Sequence, residues 1–309
     1  MATAQQAHKA PLLGWHRRKA LQGYLYVLPW IIGILVFFLY PIIYSAYISF
    51  TEWRAAGPHI WVGLRNYQIM LRDPLLLHSL KITAIYTLLS VPLQLIVGIA
   101  MAYLLNQNVR GTRFFRTIYY MPSVLAGPAI AVLWGMMFNT EFGLINYILS
   151  LVGVANPHIP WTTSPQWVMW VYVIMSVWTV GQTIVTYLAG LQGIPTEFYE
   201  AAQVDGANRL QQVWYMTLPL MMPIIFYNLL LSVINSFQIF TTAYVLTNGT
   251  GAPANASLFY YLYMYRTGFG QGYLGYAAAM GWLLFAILVV VSIFLFRFFK
   301  DLIYYEGQQ

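Results

Sequence analysis

Apolar residues along this chain come in long runs rather than in alternation, and charges mark where the runs end. Tyr24 to Ser49, Ile82 to Val109, Thr117 to Thr140, Phe142 to Thr196, Leu210 to Tyr265 and Thr267 to Phe296 contain no Asp, Glu, Lys or Arg. A helix needs about 20 apolar residues to cross the hydrocarbon core of a bilayer, and every run is long enough. Continuous runs also disfavour the alternating strands of a membrane barrel. The pattern therefore predicts an all-α integral membrane chain, with spans at 24–50, 79–105, 117–138, 167–190, 220–245 and 273–297. Turn formers separate the spans: Gly57-Pro58, Asp73-Pro74, Pro157 with Pro160 and Pro165, and Asn248-Gly249 with Gly251 and Pro253. Ile145 to Val152 is apolar but too short to cross, and is expected at the outer interface.

Composition agrees: the 309 residues are 60% hydrophobic, 17% aromatic and only 7% charged, with mean hydropathy +0.63, far more apolar than a soluble domain. The first run exceeds the roughly 7–15 residues of a secretory leader's apolar region, so it reads as a retained helix. Residues 1–23 and 299–309 are then tails, with 24–50 the first span and the mature chain beginning near Met1. The absence of cysteine excludes disulfides and thiolate metal sites.

A net charge of +7 does not point to nucleic acid, because the basic residues sit dispersed at span ends, where they set topology and meet anionic lipid. Lys9, Arg17, Arg18 and Lys19, then Arg110, Arg113 and Arg116, then Arg297 and Lys300 fall on one side. That side is cytoplasmic by the positive-inside rule, so both termini are expected inside.

The chain carries no phosphate-binding Gly-Lys motif: its lysines follow His8, Arg18, Leu80 and Phe299. His8, His16, His59, His78 and His158 are scattered, without metal-ligand spacing. No internal repeat supports the inverted-repeat design of many secondary transporters.

One polar interruption is patterned. Gly193-Ile194-Pro195 closes the fourth span. Thr196 is a candidate N-cap for a short helix through Glu197, Glu200 and Val204, and Gly206 suits its end. Pro219, after Leu218, suits the first turn of the next span. Ala201 and Ala202 have little bulk, so another protein can approach the backbone there, while Glu200 offers a charge to a basic partner.

The spacing from Glu200-Ala201-Ala202 to Gly206, and on to Leu218-Pro219, resembles the cytoplasmic signature of bacterial binding-protein-dependent ABC importer permeases. Met216 departs mildly, standing where that family usually has isoleucine. Tyr40-Pro41-Ile42, Gly63-Leu64-Arg65-Asn66-Tyr67, Met121-Pro122, Leu188 to Pro195 and Tyr304-Tyr305-Glu306-Gly307 are similar to the carbohydrate-uptake branch, including glycerol-3-phosphate and oligosaccharide permeases. The resemblance implies the type I importer permease fold: six transmembrane helices, a transport core over residues 78–298, and a cytoplasmic coupling helix between the fourth and fifth. It implies that Glu200, Ala201, Ala202, Asp205 and Gly206, with Leu218 and Pro219 closing the motif, couple to a separate ATPase. It also implies an ATPase dimer that binds ATP and Mg2+, a second permease subunit in a heterodimer, an extracytoplasmic binding protein and a sugar substrate. The chain itself would bind no cofactor, in the bacterial inner membrane.

Two polar stripes flank the loop. Asn228, Ser232, Asn235, Gln238 and Thr242 recur at helical spacing in the fifth span, and Ser176, Thr179, Thr183 and Thr186 with Gln182 in the fourth. Such residues avoid lipid; they line a pathway or bond helix to helix. Trp178, Tyr187, Tyr227 or Tyr244 can cover a sugar's apolar face. No acid or base lies mid-span, which disfavours a proton relay and favours a neutral, hydroxyl-rich cargo. Gln182, where the family more often has an aromatic or apolar residue, is a candidate for specificity, and Pro223 predicts a kink in the fifth span. Alternatives stay open: a gradient-driven secondary transporter, or a membrane-embedded enzyme or scaffold.

Overall fold

The computed structural model describes residues 12–55, 57–107, 110–154 and 158–300; the ends of both tails, with Tyr304 to Gly307, lie outside them, as does Pro157. Helices α1 (Leu12–Ile34) and α2 (Tyr40–Ser49) join through a π turn at Leu35–Leu39. Pro41 has no N–H to donate, and just before it the Tyr40 N–H reaches back five residues to the Leu35 carbonyl.

An antiparallel ribbon follows, β1 (Thr51–Glu52) against β2 (Ile60–Trp61). The ribbon sits within a mostly helical chain, so the all-α expectation holds; strands of two residues are too short to leave a periodic signal. Then come α3 (Arg65–Met70) and α4 (Pro74–Leu105). Asp73 Oδ1 caps α4, accepting from the backbone N–H groups of Leu75 and Leu76 at 3.0 and 3.2 Å. Its Oδ2 accepts from the hydroxyls of Tyr263 and Tyr276, each at 2.7 Å. Burial, ahead of the bond to Asp73, pushes Tyr263 up to about 12, so its hydroxyl remains a donor. One carboxylate thus ties the start of α4 to the last part of the chain.

The expected third and fourth spans are bent. Helices α5 (Thr112–Val124) and α6 (Gly127–Met137) meet at 102°. Leu125 and Ala126 between them are extended, and Pro128 fits the first turn of α6. The short apolar piece forms α7 (Leu144–Leu151). Helices α8 (Val168–Trp178) and α9 (Gly181–Gln192) meet at 43°. At their break Thr179 Oγ1 bonds back to the carbonyls of Met175 and Ser176.

Beyond α9 lie α10 (Thr196–Val204), α11 (Arg209–Gln212), a π turn at Val213–Thr217 and α12 (Leu218–Leu220). This π turn also precedes a proline, Pro219, as at Pro41. Helix α13 (Met222–Phe237) begins after a break at Met221, two residues before the kink expected at Pro223. Helix α14 (Thr241–Thr247) completes that span. Finally α15 (Tyr260–Tyr265) passes through a π turn at Arg266–Gly270 towards α16 (Leu274–Phe299). Among the described residues, 4 helical stretches are long and apolar enough to cross a membrane, or up to 6 if each bent pair is one span.

Three buried clusters hold these helices together. One gathers Tyr86, Tyr172, Phe259, Tyr260 and Met280; a second Ala102, Ile184, Tyr187, Leu191 and Met221; a third Ile130, Trp134, Phe138, Trp161 and Met175. Glycines set the closest approach: a Cβ at Gly98 would meet the Tyr187 ring at 3.1 Å and Thr183 Cγ2 at 3.2 Å, so α4 and α9 pack backbone to side chain. At Gly181 a Cβ would stand 2.5 Å from the Tyr119 carbonyl oxygen, which fixes α9 against α5.

Candidate transport cavity and interhelical loop

Where the three clusters meet, the helices enclose a cavity of about 480 Å³. Helix α4 contributes Tyr86 and Gln94, α8 Tyr172 and Ser176, α9 Gln182, Thr183 and Thr186, and α13 Tyr227, Asn228, Ser232, Asn235 and Ser236. The two stripes thus converge on one space, and its lining contains no Asp, Glu, Lys, Arg or His. Of the expected pathway residues, Gln182, Thr183, Asn228, Ser232 and Asn235 line it; Tyr187 and Gln238 do not. Tyr187 is fully buried in the second cluster against Gly98. Gln238 lies past the end of α13 and is exposed.

Hydrogen bonding sorts the polar residues into two kinds. Thr87 Oγ1 and Ser236 Oγ are 2.8 Å apart and join α4 to α13, while Thr83 Oγ1 accepts from the Tyr260 backbone N–H at 2.9 Å. Asn228 Nδ2 donates to the Ile224 carbonyl of its own helix at 2.9 Å. These groups serve the bundle. Gln94, Gln182, Ser232 and Asn235 make no side-chain hydrogen bond among the described residues, so their amides and hydroxyl are unspent towards the cavity. Gln94 and Tyr86 were absent from the expected set. They stand eight residues apart on α4, with Ser90 between, a helical repeat that the sequence displays.

The loop from α10 to α12 is locally determined. Glu197 lies in the first turn of α10, where the helix dipole favours an acid. Thr196 does not cap it: Thr196 is already helical, and Pro195 holds the cap position without a side-chain bond. Pro195, with fixed φ, sets the entry instead. At the other end Gly206 adopts φ +78°. Its N–H donates to the Gln203 carbonyl at 3.1 Å and the Ala207 N–H to Ala202 at 2.9 Å, the two bonds of a Schellman turn that only glycine enters without strain. Asn208 and Gln211 then form a reciprocal capping box that starts α11. That box was missed in the sequence, although Asn-x-x-Gln is its signature.

What this loop presents outward is largely unspent. Glu200, Ala201, Asp205 and Gly206 are exposed, Ala202 is buried, and Val204 is 88% exposed. Glu197, Glu200 and Asp205 take part in no ion pair among the described residues. Leu218 is half-buried and Pro219 exposed; the helix end they occupy is tied to α10 by Tyr199 and Thr217, whose hydroxyl oxygens stand 3.1 Å apart. Among the described residues no group of three or more His, Cys, Asp or Glu can hold a metal.

A helical bundle with apolar outer surfaces and a charge-free polar cavity is an architecture that suits a membrane permease. Within that class, the chain belongs to the family of binding-protein-dependent transport system inner membrane components, whose model matches residues 94–304. It is 37% identical to the probable ABC transporter permease protein YesP of Bacillus subtilis, over 95% of both chains. It is 32% identical to the lactose transport system permease protein LacF of Rhizobium radiobacter, over 88% of this chain and 92% of that one. Among solved structures, a bacterial alginate ABC transporter in complex with alginate pentasaccharide-bound periplasmic protein has a chain of the same fold. The TM-score is 0.81 at 23% identity, covering 94% of this chain and 98% of that one. The chain is accordingly a multi-pass inner-membrane permease component and not an enzyme.

Proposed function

We propose that the chain is one of two different permease subunits of an ATP-driven importer, and that a sugar or related polyol passes through the cavity between α4, α8, α9 and α13. The observation that carries this reading is the cavity's wall: unspent amides and hydroxyls from three helices, with no charge among them. Such groups exchange hydrogen bonds with sugar hydroxyls, while Tyr227 offers an aromatic face. Relatives carry names for lactose, trehalose/maltose and arabinooligosaccharide transport, which supports the sugar class.

Each bent helix pair counts as one span in this reading, which makes six spans and puts both termini on one side, the cytoplasmic side by the distribution of basic residues. Residues 78–298 are the transport core, following the added span at 24–50, and residues 1–23 and 299–309 are the tails. A dimer of ATPase subunits, holding ATP and Mg2+, docks on the loop from α10 to α12, where Glu200, Ala201, Ala202, Asp205 and Gly206, with Leu218 and Pro219 on α12, transmit its motion. An extracytoplasmic binding protein delivers cargo to the opposite face.

Proteoliposomes holding the complete transporter test the reading. Asn235→Leu and Gln94→Leu each remove unspent amides from the wall, so uptake of radiolabelled sugar should fall about tenfold while complex assembly persists, as expected when polar partners of a bound ligand are lost. Uptake at the wild-type rate in both variants would refute the assignment of the cavity.

A further inference from the structure

A second pocket, of about 300 Å³, lies where the β1–β2 hairpin meets α3 and the connection from α15 to α16. Two guanidinium groups share one carboxylate at its mouth. Arg65 Nη1 donates to Glu52 Oε2 at 3.2 Å, and Arg54 Nη2 stands 3.7 Å from Glu52 Oε1. Each arginine uses one nitrogen for this contact. A guanidinium carries five donors in a fork that suits a carboxylate through two parallel bonds, so most of the donors remain unspent. Two cations against one anion leave this group with a surplus positive charge. The other acid in the lining, Asp73, balances that charge over the pocket as a whole, but its oxygens are taken by two backbone N–H groups and two tyrosine hydroxyls and it forms an ion pair with neither arginine, so the surplus stays at the exposed trio.

The cations are held in position. Arg54 lies over the Tyr273 ring, 5.1 Å from its centroid, and its backbone forms an antiparallel bridge with the same residue. The Ala55 N–H donates to the Gly272 carbonyl at 3.1 Å. At Gly275, a Cβ would collide with the Thr51 carbonyl oxygen, so only glycine lets the hairpin seat against α16. The two arginine side chains are 66% and 63% exposed. They form a cationic rim open to a large partner, which suits a docking surface better than a buried ligand site.

We propose that this pocket receives an Asp or Glu side chain of the binding protein as it docks, with Arg54 and Arg65 gripping the carboxylate and Glu52 yielding one of its contacts. The proposal rests on the permease reading above, which puts the hairpin on the outward face. Glu52 acts there as a built-in competitor that keeps the arginines apart from other anions until a protein carboxylate arrives.

The test uses the complete transporter with its cognate binding protein and reads the binding-protein concentration that half-saturates stimulated ATP hydrolysis. In R54E/R65E that concentration should rise at least fivefold, the scale of an exposed charge pair, and its dependence on ionic strength should reverse, because salt now screens a repulsion. In E52Q, which frees both arginines, it should fall. Opposite shifts from one pocket cannot come from general misfolding. If both variants leave the half-saturating concentration unchanged, or move it in the same direction, the proposal is wrong. Calorimetric binding of free galacturonate to the transporter, abolished in R54E/R65E, would assign the pocket to a small acid and also overturn it. Should wild-type hydrolysis ignore the binding protein altogether, the permease reading itself fails.

Discussion

The loop from α10 to α12 and the cavity between α4, α9 and α13 are built by opposite means. In the loop the turn and the caps are set within a few residues, Gly206 bonding to Gln203 and Asn208 to Gln211, and only the Tyr199–Thr217 contact reaches further along the chain. The cavity depends on groups far apart in sequence, such as Thr87 beside Ser236 and Gly98 beneath Tyr187. The contrast teaches that an exposed loop of the kind proposed to meet another subunit can be folded by short-range rules, leaving its acids without ion pairs among the described residues. A passage must be assembled from several helices, so its wall mixes groups that bind the bundle with groups left free.

Breaking the loop should have the larger effect. Proline cannot adopt the φ of +78° found at Gly206, and Gly206→Pro should lower uptake and stimulated ATP hydrolysis more than tenfold, given about 1–3 kcal/mol of local strain at the docking surface. The check is transport beside copurification of the ATPase. Gly98→Val comes next. It forces α4 away from Tyr187 and Thr183, with an overpacking cost of about 1–3 kcal/mol, and should lower the thermal midpoint in detergent together with sugar affinity. Thr87→Val is the mildest: it deletes one interhelical hydrogen bond, worth about 0.6 kcal/mol in a membrane, and should move the midpoint slightly with transport retained. A Thr87→Val effect as large as that of Gly206→Pro would erase the distinction between the two regions.

The same contrast explains what could be read from the sequence. The helical runs, Gly206 as a turn and the short helix through Glu200 follow local rules, and the structure has them. Thr196 failed as a cap because Pro195 already fixes the entry to α10. The stripes identified the right faces of α9 and α13 but not every member. Gln238 falls in the break after α13 and misses the cavity, whereas Thr242 beyond it, on α14, lines it. Tyr187 follows Thr183 by four residues, yet its ring turns into the glycine gap at Gly98, which periodicity in one helix cannot reveal. The 102° bend was illegible because two extended residues, Leu125 and Ala126, within an apolar run carry no periodic mark, and the hairpin because its strands are only two residues long.

The central claim is that α10 receives the ATPase. Because the chain has no cysteine, Ala201→Cys provides a single reactive site on the exposed face of α10, beside the buried Ala202. Its rate of labelling by a membrane-impermeant maleimide should be measured in inside-out vesicles, with the ATPase bound and after it is stripped away. The account predicts fast labelling of the stripped permease and strong protection when the ATPase is bound. Equal rates in the two states would contradict it.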